Sequence, residues 1–106
     1  MSETSASPID CIPVLRALGE PTRLRLLRHL MEEPRTVGDL CGILMATSYN
    51  VSKHLRILKE AGLVQSRKDG QHRIYSVADH LRESLSRSRN VIDLGCCQFR
   101  FDRLID

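Results

Sequence analysis

The chain has 106 residues, one domain by length, and 42% of them are apolar, enough for a small core. Sixteen Lys and Arg against thirteen Asp and Glu give a net charge of +3. That balance permits nucleic acid without demanding it, so the placement of charge says more than its total. No apolar run approaches the roughly 20 residues needed to cross a bilayer, and MSETSASPID lacks the basic-then-apolar order of a secretory signal. A cytoplasmic protein without membrane attachment is expected, with Cys11, Cys41, Cys96 and Cys97 as thiols. Zinc-finger spacing, a Gly-rich phosphate loop and internal repeats are all missing from the sequence.

Residues 1–7 are small and polar and read as a flexible N-terminal arm. From about Pro8 to Leu18, the set Ile9, Ile12, Leu15 and Leu18 spaces as one helical face. Pro13 lies inside it, so the helix either starts there or bends. After the break Gly19-Glu20, Pro21 suits the first turn of a second helix. Leu24, Leu27, Leu30 and Met31 form its stripe and Leu26 widens it. Arg23, Arg25 and Arg28 fall on the remaining surface and read as a solvated face. Pro34 ends this element, and Thr36 caps the next.

Thr36 to Gly62 reads as two helices joined by a short turn. Val37, Leu40, Ile43 and Leu44 stripe the first; Val51, Leu55 and Leu58 stripe the second. Thr47 or Ser48 caps the second helix, and Gly62 closes it in the left-handed conformation. Its other face carries Ser48, Tyr49, Asn50, Ser52, Lys53, His54 and Arg56. Hydrogen bonders mixed with cations suit base edges and phosphates in a major groove.

The periodicity then changes. Leu63 to Arg67 and Arg73 to Val77 have strand character, and Asp69-Gly70 between them is a hairpin signal. The tip is cationic, with Arg67, Lys68, His72 and Arg73. Two strands directly after a helical pair make a winged helix, so the fold class is mainly α with a small β-hairpin. A last helix is expected from about Asp79, as a cap, to about Leu94, with Leu81, Leu85, Val91 and Ile92 on its apolar side. It is poor in burial for its length, so a second copy of the chain is its simplest partner. Gly95 ends it. Residues 8–95 then form the DNA-binding and dimerisation body and residues 96–106 a cysteine-containing tail, in which Phe99 and Phe101 pack against that body.

The runs LRALGEPTRLRLLRHL, NVSKHLRILKEAGLV and RKDGQHRIYSV closely resemble the ArsR/SmtB family of winged-helix repressors. The likeness covers about Val14 to Val77 and includes the order of elements. It implies a homodimer paired through first and last helices, bound to an inverted repeat in double-stranded DNA and released by a metal, metalloid or other signal. Ser48 to Lys59 is then the recognition helix and Val64 to Val77 the wing. The arsenic sensors' CVC core is replaced here by Thr36-Val37-Gly38, and the zinc sensors' histidine pair is missing at the far end of the last helix.

Cys96-Cys97 remains as the candidate inducer site. Adjacent α-carbons lie about 3.8 Å apart, below the usual disulfide span of about 4.4–6.8 Å, yet two thiolates can chelate one soft ion. Trivalent arsenic or antimony wants a third sulfur, for which Cys11 is the candidate, from either subunit. Thiol-based redox or persulfide sensing is the alternative, and simple packing of the cysteines is the bland one. No obligatory cofactor is expected. With no nucleophile–base pair visible, the chain does not read as an enzyme; a winged-helix interaction module without ligand sensing stays as the competing class.

Overall fold

A computed structural model of the chain describes residues 11–82, 91–94 and 97–101. The expected arm 1–7 and residues Ile9, Leu85, Gly95 and Cys96 lie outside that set. The helices are α1 (Cys11–Leu18), α2 (Pro21–Glu32), α3 (Val37–Leu44) and α4 (Ser48–Glu60). The strands are β1 (Arg35–Thr36), β2 (Val64–Asp69), β3 (His72–Val77), β4 (Val91–Asp93) and β5 (Gln98–Arg100). A helical turn also covers residues 79–82.

Pro13 sits in the first turn of α1, where a missing N–H is tolerated. The buried face of α1 is not the expected one. Val14, Ala17 and Leu18 are inside, whereas Ile12 and Leu15 are 57% and 47% exposed. In α2 the core residues are Leu26, Leu27 and Leu30, with Leu24 and Met31 only packed alongside. Pro21 opens this helix as expected, and the Glu20 carboxylate caps it by accepting from the Arg23 N–H at 3.1 Å.

Thr36 closes β1 and caps α3 in a reciprocal box: its Oγ1 accepts from Asp39 N–H, and Asp39 Oδ2 accepts from Thr36 N–H. Met45 ends α3 in the left-handed conformation, φ 53° and ψ 48°. Of the two candidate caps, Thr47 is the one used, accepting from Asn50 N–H. Val51, Leu55 and Leu58 of α4 are wholly buried. A Schellman cap ends the helix. Leu63 N–H donates to Leu58 O and Gly62 N–H to Lys59 O, with Gly62 at φ 84° and Leu63 buried beneath.

The wing is antiparallel, Val64 opposite Val77 through Asp69 opposite His72, and β1 adds to the outer side of β3. The turn is shifted by one residue from the expected Asp-Gly. Asp69 still pairs within the ladder, and Gly70 and Gln71 occupy the two central positions. Gly70 has φ 63° and Gln71 is not left-handed, the pattern of a type II′ turn with Gly first.

The far end of the expected last helix is corrected. Val91–Asp93 is a strand, paired antiparallel to Gln98–Arg100. β-branched Val91 and Ile92 suit it, and Leu94 N–H donates to Cys97 O at 2.9 Å. The tail does pack on the body. Ile92, Leu94 and Phe101 join the common core, and the Phe99 and Phe101 rings meet edge-on at 6.4 Å.

Candidate nucleic-acid interface

Alternation along paired strands sets which wing residues face α4. Val64/Val77, Ser66/Tyr75 and Lys68/Arg73 share one face. Lys59 Nζ donates to Ser66 Oγ at 3.2 Å and Arg73 Nη1 to the same oxygen at 3.3 Å, so that face meets the C-terminal half of α4. Arg67 pairs with Ile74 on the opposite face. It is exposed, but it turns away from the helix.

Between α4 and the wing lies an open groove of about 350 Å³, lined by Tyr49, Ser52, Lys53, Arg56, Lys59 and Tyr75. Three cations and two phenols line it without a carboxylate, a combination suited to a phosphodiester strand. Tyr49 is 75% exposed at the helix start. Of the expected DNA-contacting residues, Tyr49, Ser52, Lys53 and Arg56 are brought together here. Ser48 and Asn50 are exposed on the same helix, while Lys68 and Arg73 extend the cationic surface along the wing. Lys59 and Tyr75 belong to the groove and were not singled out from the sequence. The signal was present: Lys59 stands one turn beyond Arg56, and Tyr75 shares the strand face of Arg73.

His54 departs from expectation. It is half-buried, and its Nδ1 lies 3.2 Å from Arg23 Nη1, so it turns toward α2 and away from the groove. Arg23 is correspondingly no solvated residue. Its guanidinium also donates to the carbonyls of Ala17 and Arg16 at the end of α1.

Beside this contact, burial works to raise the Glu20 carboxyl. The Arg23 and Thr22 amides outweigh it, helped by the charge of Arg23, and hold the group below its ordinary value. Asp39 is held low by the Thr36 N–H and hydroxyl. Burial lowers His29, with Arg28, Arg35 and Arg25 adding to that and Glu32 opposing it. Among the described residues, no group of three or more His, Cys, Asp or Glu is placed to hold a metal ion. Cys41 and Cys97 are half-buried thiols, while Cys11 is disulfide-bonded. Cys96 lies outside the described residues, so the expected three-thiol set is not seen assembled. A sulfur in a disulfide is no thiolate ligand until it is reduced. No helix among the described residues is long and apolar enough to cross a membrane.

Residues 20–66 match the family described as "Bacterial regulatory protein, arsR family". A cadmium resistance transcriptional regulatory protein CadC homolog of Staphylococcus aureus is 30% identical over 95 residues, covering 84% of this chain and 78% of that protein. The chain belongs to the arsR family. The HTH-type transcriptional repressor SmtB of Mycobacterium tuberculosis is 40% identical over 67 residues, 63% of this chain. The match spans only half the length of that repressor, 50%. The homodimeric winged helix-turn-helix DNA-binding domain Mb0332 of Mycobacterium bovis superposes with a TM-score of 0.65 at 28% identity. That superposition covers 74% of this chain and 70% of the other. The matched family segment contains α2, α3 and α4, the elements that build one wall of the groove.

Proposed function

We propose that this arsR-family chain is a cytoplasmic transcriptional repressor that binds an operator inverted repeat in double-stranded DNA as a homodimer. The cationic groove between α4 and the wing carries this reading. Tyr49, Asn50, Ser52 and Lys53 serve bases at the start of the recognition helix. Arg56, Lys59, Lys68 and Arg73 serve phosphates, and Arg67 contributes less because it lies on the far face of the wing. The exposed Ile12 and Leu15 on α1 support pairing with a second copy, since exposed large apolar side chains on one helix mark contact surfaces.

Mobility shifts at several salt concentrations on a duplex selected from a random pool test the reading. Lys53→Ala should cost about 1–3 kcal/mol on the selected duplex and relax its sequence preference. Lys68→Ala and Arg73→Ala should weaken all duplexes alike and shallow the salt slope by about one. Equal losses on selected and random duplexes for every groove variant would place base reading elsewhere.

For the inducer, we infer a soft metal ion or trivalent arsenic or antimony, captured by Cys96, Cys97 and Cys11 in the reduced protein. The presence of Cys11 and Cys97 at the margin of one core supports it, as does the name of the cadmium resistance relative. The disulfide at Cys11 favours a second reading, in which thiol oxidation is itself the signal.

A further inference from the structure

Arg23 sits where three helices meet. From the first turn of α2, its Nε and Nη2 donate to the carbonyls of Ala17 and Arg16, two of the four that α1 leaves without helical partners. A cation there also opposes the partial negative charge of the helix end. Its remaining terminal nitrogen, Nη1, reaches His54 Nδ1 on α4. Arginine can only donate, so Nδ1 accepts in this contact. Glu20, which caps α2, accepts from the Arg23 N–H at the same place. Arg16, Arg23 and Glu60 line the shallow groove between α1 and α4 at the same place. One planar fork thus holds the end of α1 and the middle of α4 at fixed separation, a geometry that a point-charge lysine would not reproduce.

We propose that Arg23 and His54 are a positioning pair that sets the pitch of α4 against α1, so that His54 serves operator binding without touching DNA. The inference rests on the DNA-binding reading given above. In a dimer whose subunits meet through α1, a change in this pitch would also alter the spacing of the two recognition helices. Spacing decides whether both reach successive major grooves, so the pair should matter for the matched duplex and little for random DNA.

The test uses a duplex selected by the wild-type protein from a randomised pool, a scrambled duplex of equal length, and thermal unfolding of each variant. His54→Leu should lower affinity for the selected duplex about tenfold, leave the scrambled duplex nearly unchanged and keep the unfolding midpoint. His54→Asn, whose side-chain oxygen can accept from Arg23, should stay within about twofold of wild type. Arg23→Met should repeat the loss, and its combination with His54→Leu should cost no more than either alone. If Arg23→Met fails to fold, the His54 series decides the matter alone. The pair is overturned if His54→Leu binds the selected duplex like wild type, or if the two losses multiply. A changed base preference at one position in His54→Asn would equally overturn it, because His54 would then be reading DNA. A wild-type protein that selects no sequence overturns the DNA-binding reading and the pair with it.

Discussion

Gln65 and Asp79 clasp each other across the base of the wing. Gln65 Nε2 donates to Asp79 Oδ1 at 3.0 Å, and the Asp79 N–H donates to Gln65 Oε1 at 2.9 Å. Beside them His80 Nε2 lies 2.9 Å from Gly62 O, so two side-chain contacts join the start of the residue 79–82 turn to the end of α4 and to β2. Gln65→Ala removes both bonds of the clasp and should lower stability by about 0.5–1 kcal/mol, the low end of the usual range because the bonds themselves lie exposed to solvent. Urea unfolding should show a lower midpoint with unchanged slope. Gln65→Glu should do worse at neutral pH, where it sets two carboxylates together, and should recover as acid neutralises one.

Met45 offers the opposite sign. It holds a left-handed backbone with its side chain 92% exposed, so it meets the steric cost of that region while burying nothing in return. Met45→Gly should stabilise the chain by about 0.5–1 kcal/mol, the left-handed relief exceeding the extra chain entropy of glycine. Thermal unfolding should shift upward by a few degrees, on the order of 2–6 °C for a domain of this size. Met45→Val should move the midpoint down, since a branched side chain tolerates that backbone least.

These two features lie beyond what the sequence made legible. The stripes of α3 and α4, the Thr36 cap, Gly62 and the wing announced themselves through periodicity and turn chemistry, which act over a few residues. The clasp of Gln65 with Asp79 spans 14 positions and has no local signature. The same holds for Arg23 and His54, 31 positions apart. Spacing put His54 among polar neighbours, but its angular place at the edge of the buried stripe left it half-covered, and only the partner on α2 says what it does. The α1 face was misread because Ile12 and Leu15, though apolar, stand exposed and Val14 and Ala17 point inward instead. Val91–Asp93 was read as helix because three residues are too few to separate a period of 2 from one of 3.6.

His29 gives the fold a pH dependence above the carboxylate range. Burial lowers its pKa, Arg28, Arg35 and Arg25 push the same way, and Glu32 only partly opposes them. A histidine harder to protonate when folded contributes fully above its unfolded value of about 6.5, and that contribution is lost as pH falls through the folded value. Stability should therefore decline as pH drops below about 6.5, before Glu20 and Asp39, both depressed carboxyls, add their own loss at lower pH. His29→Gln should flatten the upper part of the curve and leave the acid limb in place. A denaturation series from pH 8 to 5 that is level in the wild type would remove His29 from this role.

The cysteines yield the most discriminating measurement, because the two inducer readings make opposite demands on Cys11. Soft-ion capture needs thiolates, since a coordinating metal drives the thiol to lose its proton. A disulfide at Cys11 holds no such group. The protein treated with a dithiol reductant should therefore release its DNA on adding trivalent arsenic or antimony, and the oxidised protein should not. Cys96→Ser and Cys97→Ser should each abolish that release with DNA affinity nearly intact, and Cys11→Ser should weaken it. Cys41 lies elsewhere, on α3, with its carbonyl taken by the Met45 and Ala46 amides, and Cys41→Ser should respond like wild type. If oxidation is the signal instead, a peroxide alone should release DNA from the reduced wild type, and Cys11→Ser should no longer respond to it. A Cys96→Ser/Cys97→Ser double variant that still lets go of DNA on adding the metalloid would end the soft-ion reading, because neither Cys11 nor Cys41 alone supplies enough sulfur to bind the ion.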